Sequence, residues 1–347
     1  MKVLVTGSEG YIGTRLVQVL LDEGFDVTGL DTGYYEEGHL YDLKGGAYPL
    51  IKKDTREVVA KDLEGFEAII HLAELSNDPL GQTDPELTFE INHRGTMKLA
   101  EAAKGAGVER FVYFSSCSIY GASENVSDES TTPNPLTAYA KSKVMNEESL
   151  AGLATTSFCP TIFRNATVFG ASPRMRFDLV VNDLAASAHV HKLIKMSSDG
   201  TPWRPFVHVL DVARAVVLTL RAPKEQVCNA LFNVGSDDNN YQIRQIAQII
   251  AAVFPGCHTE FGDSSGDKRN YRVKFQKIKE VLPQFTCEWD VKRGAEELRD
   301  VFQQVAMNQE TYQSRLYTRL KQIKYLRTQH LVDDRLFFSQ RSKLCSV

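Results

Sequence analysis

The chain has 347 residues, of which 43% are hydrophobic and 24% are charged, and its formal net charge is −4. This composition is typical of a globular protein and excludes a disordered chain, and the negative charge disfavours nucleic acid or an anionic membrane as the main partner. No apolar run reaches the roughly 18 residues of a transmembrane helix, so we predict no membrane partner.

The cysteines and the N-terminus bear on the cellular compartment. The six cysteines, at positions 117, 159, 228, 257, 287 and 345, form no Cys-x-x-Cys pair and no metal-ligand spacing. Free thiols are therefore expected, and no metal is. Residues 1–6 lack the long apolar region and the cleavage site of a signal peptide. We predict a cytoplasmic location.

Short β-rich runs alternate with helical patterns through the first half of the chain. This alternation predicts an α/β fold with a Rossmann-type, doubly wound parallel sheet. The predicted strands cover residues 2–6, 26–30, 50–53, 68–73, 110–116 and 157–164. The predicted helices cover residues 11–22, 58–63, 87–104 and 139–151, where apolar residues recur at spacings of three and four.

The second half of the chain has a looser pattern. We predict a first domain over residues 1–165, a smaller C-terminal lobe over 166–305 that is partly interwoven with it, and a basic helical tail over 306–347. In the tail, Leu316, Leu320 and Ile323 fall on one face of a predicted helix. The basic residues around that face are Arg315, Arg319, Lys321, Lys324 and Arg327. We expect a solvated amphipathic helix packed on the lobe, and a partner or dimer contact is the alternative.

A glycine-rich segment lies between the first predicted strand and the first predicted helix. Residues 7–13 read Gly-Ser-Glu-Gly-Tyr-Ile-Gly, with Gly7, Gly10 and Gly13 in the dinucleotide-binding spacing. Small residues let the backbone approach a pyrophosphate, and the helix N-terminus offers unpaired N–H groups and a positive dipole end. The context of strand, loop and helix predicts a dinucleotide site, where glycines alone would be weak support.

A carboxylate at the end of the second predicted strand indicates which dinucleotide binds. Asp31 follows Gly13 by 18 residues, and there it can accept hydrogen bonds from an adenosine ribose. The same carboxylate would repel a 2′-phosphate, and residues 32–35 supply no arginine to neutralise one. The sequence therefore predicts NAD rather than NADP.

A tyrosine and a lysine form the predicted catalytic pair. Tyr139 and Lys143 are four residues apart, so on a helix both project from one face. A phenol with a pKa of about 10 is a poor base at neutral pH, but a nearby ammonium and a positive nicotinamide favour the phenolate, which can take a proton from a sugar hydroxyl. This spacing also occurs by chance on surface helices. The upstream strand 111–116, which ends in the hydroxyls of Ser115 and Ser116, favours the catalytic interpretation.

Together these motifs define a resemblance. The sequence resembles the extended short-chain dehydrogenases, in particular the nucleotide-sugar epimerase/dehydratase family, over roughly residues 1 to 300. The motifs, in family order, are Gly7-x-x-Gly10-x-x-Gly13, His71-Leu72-Ala73, Asn92, Ser116, Tyr139-x-x-x-Lys143, Arg164 to Gly170, and Arg204 to Asp211.

The resemblance implies roles for the matching residues. Ser116 would position the sugar hydroxyl, Tyr139 would be the acid/base, and Lys143 would lower the pKa of the tyrosine and bind the nicotinamide ribose. Asp54 would touch adenine, and Arg204 and Arg269 would grip the nucleotide diphosphate from the lobe, which thereby becomes the substrate-binding lobe. The predicted cofactor-binding residues are Gly7, Gly10, Tyr11, Ile12, Gly13, Asp31, Asp54, Thr55, Leu72, Ala73, Asn92, Tyr139 and Lys143. The predicted substrate-binding residues are Ser76, Asn77, Ser116, Cys117, Thr167, Arg176, Arg204 and Arg269.

Departures from the family pattern narrow the reaction. Dehydratases of the family carry Asp-Glu directly after the catalytic hydroxyl residue, and this chain has Cys117-Ser118. Neither residue can act as the required acid, so 4,6-dehydration and decarboxylation are disfavoured and oxidation at C4 remains. We expect Cys117 to be a small residue that lines the pocket. In the lobe, Thr167 replaces an asparagine beside the diphosphate, and Arg204-Pro205 replaces an Arg-Asp pair.

Three functions stay open at this point. The leading hypothesis is an NAD-dependent nucleotide-sugar 4-epimerase that acts through a transient 4-keto sugar. The second is a nucleotide-sugar C4 dehydrogenase or ketoreductase, including action on nucleotide-linked heptoses or deoxysugars. The third, a non-catalytic nucleotide sensor, would need no Ser/Tyr/Lys set. The resemblance also implies a homodimer formed through the helices at 87–104 and 139–151.

Overall fold

The computed structural model describes residues 1–42, 46–76, 81, 84–264 and 269–339. The strands are β1 Lys2–Thr6, β2 Asp26–Asp31, β3 Leu50–Lys52, β4 Ala68–His71, β5 Arg110–Ser116, β6 Ala122–Ser127, β7 Cys159–Asn165, β8 Thr167–Phe169, β9 Leu193–Ser198, β10 Trp203–His208, β11 Ala230–Val234, β12 Asn240–Gln242, β13 His258–Ser264 and β14 Asn270–Val273. The α-helices are α1 Tyr11–Asp22, α2 Pro85–Phe89, α3 Thr96–Gly105, α4 Ala138–Leu153, α5 Val180–His191, α6 Val209–Arg221, α7 Lys224–Val227, α8 Ile243–Val253, α9 Gln276–Val281, α10 Val291–Gln304, α11 Gln309–Gln313 and α12 Arg319–Thr328.

A seven-stranded parallel sheet forms the centre of the molecule, in the order β11-β7-β5-β4-β1-β2-β3. Helices cover both faces because successive side chains of a strand point to opposite faces. In β1, Val3 and Val5 pack with α1 and α6 on one face, and Leu4 packs with α3 and α4 on the other. The predicted doubly wound Rossmann-type sheet is confirmed.

The second half of the chain builds a smaller lobe and also returns to the sheet. A separate apolar cluster holds α5, α8 and α10 together, and the two-stranded β13-β9 and three-stranded β12-β10-β8 sheets lie in this lobe. Strand β11 pairs with β7 at the edge of the central sheet, and α6 packs against α1 beneath it. A strand from the second half of the chain thus completes one edge of the sheet that the first half builds.

The C-terminal segment, residues 306–339, differs from its predicted position. It contains the expected helix, α12, but Ile323 and Leu326 pack against Leu75, Leu87 and neighbouring residues of the first domain rather than chiefly on the lobe. The prediction of an apolar face packed on the lobe holds for Leu316, which lies in the lobe cluster with Met307 and Tyr317. It is wrong for Leu320 and Ile323, because the apolar face of α12 matches an apolar surface beside the loop after β2. Among the described helices, none combines the length and the apolar character that a bilayer crossing requires.

Two predicted helices take a different form. Residues 58–63 are replaced by 3₁₀ turns at Thr55–Glu57 and Ala60–Leu63. The predicted helix 87–104 is interrupted by a π-helical stretch, Glu90–Gly95, between α2 and α3. The Asn92 carbonyl there accepts hydrogen bonds from Asn146 Nδ2 at 2.7 Å and Thr96 Oγ1 at 2.6 Å. Side-chain donors that compete for a helix carbonyl accompany such irregular turns.

Candidate active site

A cavity of about 770 Å³ lies where the strands of the central sheet end, between the sheet and the lobe. Gly7, Asp31, Leu72 and Ser116 come at or just after the carboxyl ends of four strands, β1, β2, β4 and β5, and all line the cavity. Parallel sheets place their binding crevices at this edge, near the point where the strand order reverses. Here that point lies between β1 and β4.

The backbone of the glycine loop is packed so closely at Gly7 and Gly13 that a larger residue does not fit at either position. A methyl group in place of the Gly13 hydrogen would lie 2.0 Å from the Gly7 carbonyl oxygen, and one at Gly7 would lie 2.9 Å from the Ala73 nitrogen. Gly10 caps α1 without any side-chain hydrogen bond, so the first N–H groups of the helix stay available to an anion. These residues fit the pyrophosphate of a dinucleotide, as the motif predicts.

Asp31 is held in place by backbone donors. Its Oδ2 accepts the Glu9 N–H at 3.0 Å and its Oδ1 accepts the Gly33 N–H at 2.9 Å. Burial raises the pKa of Asp31, and these two N–H bonds oppose that rise. Each carboxylate oxygen keeps a further lone pair that can accept a ribose hydroxyl.

The other predicted cofactor residues divide into two groups. Tyr11, Ile12, Asp54, Thr55, Leu72 and Ala73 line the cavity. The Asp54 carboxylate is also bound by the Arg56 guanidinium, with Oδ2 at 2.7 Å from Nη2. Asn92, in contrast, is absent from the cavity wall: its buried side chain accepts the Leu75 N–H at 2.8 Å and donates to the Leu75 carbonyl at 3.0 Å. Asn92 therefore fixes the backbone of the wall rather than forming its surface.

The predicted catalytic residues converge on the same cavity. Ser116, Tyr139 and Lys143 all line it, and the Lys143 ammonium lies 5.3 Å from the centre of the Tyr139 ring. Thr137 caps α4, which carries both Tyr139 and Lys143, by accepting the Ala140 N–H at 3.1 Å. The four-residue spacing thus brings the phenol and the ammonium to one face of the helix, as predicted.

A buried glutamate, Glu74, is the ion-pair partner of Lys143, and this pairing was not predicted from the sequence. The side chain of Glu74 is 2% exposed, and its carboxylate forms an ion pair with Lys143. The second carboxylate oxygen accepts the Tyr113 hydroxyl at 2.8 Å and the Asn146 amide at 3.3 Å. The available signal was a charged residue directly after a buried strand and the His-Leu-Ala motif, where a carboxylate requires a partner.

The glutamate affects the protonation of Lys143. Burial lowers the pKa of the Lys143 ammonium, and the Glu74 carboxylate opposes this by favouring the charged form. Lys143 also donates to the Phe114 carbonyl, at the end of β5. The ammonium is therefore fixed between the strand that carries Ser116 and the helix that carries Tyr139.

The substrate-facing residues predicted from the resemblance are largely in the cavity wall. Ser76, Ser116, Thr167, Arg176, Arg204 and Arg269 line it, and Asn77 lies outside the described residues. The Arg204 guanidinium lies over the Tyr271 ring at 5.2 Å. Arg176 binds Asp178 through two bonds of 2.9 and 3.0 Å and donates to Ser76 Oγ at 3.0 Å.

The prediction that Cys117 lines the pocket is wrong. Its side chain is buried in the core, where Sγ donates to the Arg164 carbonyl at 3.1 Å. The backbone enters a 3₁₀ turn after Ser116, which turns Cys117 inward. Burial raises the pKa of the thiol well above its usual value, so Cys117 is neither a wall residue nor a nucleophile.

The cavity also contains a residue that the sequence analysis placed on a solvated helix face. Arg319, the first residue of α12, is buried and lines the cavity. The position of Arg319 depends on where the C-terminal segment docks, and no sequence motif indicates that docking site.

The parallel sheet, the glycine loop with Asp31 and the convergent Ser/Tyr/Lys set define the class: a nucleotide-dependent enzyme of the dehydrogenase/reductase type. Residues 3–235 match the model of the NAD dependent epimerase/dehydratase family. The chain belongs to this family, and NAD is its cofactor.

Curated relatives and solved structures agree with this assignment. A UDP-glucose 4-epimerase from Corynebacterium glutamicum is 30% identical over 273 residues, which are 73% of this chain and 80% of the relative. A UDP-glucose 4-epimerase from Mycolicibacterium smegmatis is 31% identical over 81% of this chain and 92% of its own length. MoeE5 in complex with UDP-glucuronic acid and NAD superposes with a TM-score of 0.76 at 27% identity, covering 88% of this chain and 99% of MoeE5.

Proposed function

We propose that this enzyme is an NAD-dependent 4-epimerase of a nucleotide-diphosphate sugar, with a UDP-sugar as the substrate class. The observation that carries the proposal is the convergence of Ser116, Tyr139 and Lys143 on the cavity that the glycine loop also lines. The names of the relatives, UDP-glucose and UDP-glucuronate 4-epimerases, support the position of the reaction and the nucleotide.

The proposed chemistry begins at a sugar hydroxyl. The Tyr139 phenolate takes the proton of the C4 hydroxyl, the Lys143 ammonium stabilises that phenolate, and the Ser116 hydroxyl hydrogen-bonds the same oxygen. When bound, NAD supplies the hydride acceptor and donor for C4. The 4-keto sugar then presents its other face, and Tyr139 returns the proton to the new C4 hydroxyl.

Residues of this chain would hold both ligands. The glycine loop and the N-terminus of α1 would bind the dinucleotide pyrophosphate, and Asp31 would accept the adenosine ribose hydroxyls. Arg204 and Arg269, on the lobe side of the cavity, would bind the diphosphate of the sugar nucleotide. The sugar of the nucleotide-diphosphate substrate and the nicotinamide of the dinucleotide would then both lie beside Tyr139.

The test is a product assay with purified enzyme. UDP-glucose, UDP-galactose, UDP-glucuronate and the corresponding GDP- and dTDP-sugars are incubated separately, and isomer composition and NADH absorbance are followed together. We expect interconversion of C4 isomers without net NADH. NADH accumulation in proportion to substrate consumed would instead identify a C4 dehydrogenase, the second hypothesis from the sequence.

A Tyr139→Phe variant is the matched control for this assay. It removes the proton acceptor and keeps the ring, so we expect turnover to fall by a factor of about 10² to 10⁴ with NAD binding retained. Turnover at the wild-type rate would contradict the role of Tyr139. Ligand binding with no turnover of any sugar by the wild type would favour the nucleotide-sensor hypothesis.

We also propose a cytoplasmic homodimer. The five described cysteines are all free thiols, which supports a reducing compartment. The resemblance supports dimerisation through α3 and α4, and Met145 on α4 is an exposed apolar residue suited to such a contact. Sedimentation of the wild type and of Met145→Glu tests the dimer, and a monomeric wild type would contradict it.

A further inference from the structure

The C-terminal segment docks beside the loop that follows β2. Gln322 Nε2 donates to the Tyr34 carbonyl at 2.9 Å, and the Tyr34 hydroxyl donates back to the Leu336 carbonyl. Arg315 pairs with Glu37 at 2.6 Å. The residues after Asp31 are therefore clamped by a segment about 300 positions away in the chain.

The docked C-terminal segment places the cationic side chain of Arg319 in the cavity wall. Arg319 is 6% exposed, lines the cavity, and lies with its guanidinium carbon 3.8 Å from the centre of the Tyr35 ring. Within the described residues, the guanidinium stacks on this ring but has neither a hydrogen bond nor an ion pair. A buried guanidinium without an anionic partner is costly, and its five N–H donors suit phosphate oxygens.

The nearby carboxylates are already bound by other groups. Asp31 accepts the N–H groups of Glu9 and Gly33, and Asp178 is bound on both oxygens by Arg176. Burial lowers the pKa of Arg319 to about 10, so the side chain stays charged at neutral pH. The like charge of Arg176 acts in the same direction, and Tyr35, Asp178 and Asp31 oppose this lowering. An anionic ligand would relieve both effects.

The surroundings of Arg319 indicate which ligand this is. Tyr35, on which it stacks, follows Asp31 by four residues on the adenosine-ribose side of the cavity, whereas Arg204 and Arg269 approach from the lobe. We propose that Arg319 binds a diphosphate oxygen of the dinucleotide, which makes the C-terminal segment part of the cofactor site. This inference concerns NAD binding and holds whichever reaction the enzyme performs on its sugar.

The test compares the ligand affinities of three variants with those of the wild type. Arg319→Met keeps an apolar stem against Tyr35 and removes the donors, and Arg319→Lys keeps the charge. Arg327→Gln, from the same helix, breaks a more exposed contact with Asp84 and serves as the matched control. NAD released from the purified proteins is quantified, and NAD, ADP, adenosine and UDP are titrated by calorimetry.

We expect Arg319→Met to weaken binding of NAD and ADP about tenfold to a hundredfold, with adenosine and UDP unchanged within about twofold. Arg319→Lys should recover part of the loss, and Arg327→Gln should match the wild type. Unchanged NAD affinity in Arg319→Met would overturn the proposal.

A larger loss for UDP than for NAD would assign Arg319 to the sugar nucleotide instead, and an equal loss for adenosine would reduce its role to packing on Tyr35. Either result overturns the proposal. If Arg319→Met does not fold, Arg319→Lys decides alone: a folded lysine variant that binds NAD, ADP and UDP in the wild-type ratio contradicts it. None of these readouts requires turnover, so failure of the epimerase proposal leaves the test intact.

Discussion

At the Tyr139 end of the cavity, buried cations are paired with carboxylates of the protein itself. At the Asp31 end, the buried Arg319 guanidinium forms neither a hydrogen bond nor an ion pair with any residue that the structure describes. Lys143 is held by Glu74, and Arg164 is held by Glu147 through bonds of 2.7 to 3.1 Å. The Asp178 and Asp31 carboxylates favour the charged form of Arg319 from a distance, but their oxygens accept hydrogen bonds from Arg176 and from the Glu9 and Gly33 N–H groups instead. A cation that must act on a tyrosine in every cycle gains from a fixed position, and a cation that binds an anion gains from donors still unfilled.

The comparison depends on the cavity being the cofactor site, and the glycine loop offers the most severe test of this. Gly13→Ala would place a methyl group 2.0 Å from the Gly7 carbonyl oxygen, so the loop must deform. We expect NAD to be absent from the purified variant and its affinity to fall by more than about a hundredfold. The measurements are cofactor content and calorimetric titration.

A second glycine provides the control for that variant. Gly152 lies in α4 with open space around it, so Gly152→Ala should bind NAD normally and raise the unfolding free energy by up to about 1 kcal/mol. If Gly13→Ala retained wild-type NAD affinity, the pyrophosphate would have to bind elsewhere.

Glu74→Gln tests whether the Tyr139 end needs its paired charge. The change leaves the buried Lys143 ammonium without a carboxylate, so we expect the unfolding free energy to fall by about 3 to 5 kcal/mol. Glu86→Gln, which breaks an exposed ion pair with Arg94, should cost less than about 1 kcal/mol. If denaturant unfolding gave equal losses of unfolding free energy for the two variants, the buried Glu74–Lys143 pair would stabilise the fold no more than the exposed pair does.

The same variant should change the pH dependence of turnover. Glu74 raises the pKa of Lys143 against the effect of burial, so without the carboxylate the ammonium loses its proton at a lower pH. The alkaline limb of the kcat/KM profile should therefore move to lower pH in Glu74→Gln. A limb that stays in place would mean that Lys143 does not control it.

Ile323→Ala tests the Asp31 end without touching the cavity. Ile323 is fully buried between α12 and the first domain, so its truncation loosens the C-terminal segment and allows Arg319 to move away. We expect NAD affinity to fall several-fold while UDP affinity is kept. Lys324→Ala, on the exposed face of the helix, should have no effect on either ligand. If both variants bound NAD equally well, the C-terminal segment would not contribute to NAD binding.

Cys117→Ser should have the smallest effect. The thiol points into the core and a serine hydroxyl can make the same bond to the Arg164 carbonyl, so we expect kcat and KM within about twofold of the wild type. If Cys117→Ser lost turnover but kept its stability, Cys117 would have to contact the reacting groups in the cavity, which contradicts its position in the core.

The sequence was sufficient where the signals are local. The glycine loop, Asp31 and the Tyr139–Lys143 pair each depend on one strand-to-helix unit or on one helical spacing, and all of them line the cavity. Glu74 and Arg319 meet their surroundings only through tertiary packing. A basic residue near the start of an amphipathic helix reads as solvated until the surface that receives the helix is known.

Pocket geometry was less predictable than motif identity. Cys117 directly follows Ser116, and a 3₁₀ turn there buries its side chain. Asn92 belongs to a family motif, yet two hydrogen bonds to Leu75 turn its side chain toward the backbone. Adjacency in the chain does not fix which way a side chain faces after a strand ends.

Because β11 forms an edge strand of the central sheet, a fragment that contains only the first half of the chain lacks part of that sheet. In a fragment that ends after β7, residues 161–165 of that strand, which pair with β11 in the whole chain, would have an unpaired edge. Unpaired edges of this kind recruit strands from other molecules and promote aggregation. We therefore expect a fragment that ends after β7 to aggregate when it is expressed by itself, and the central sheet to be completed during synthesis only after the ribosome has released residue 234.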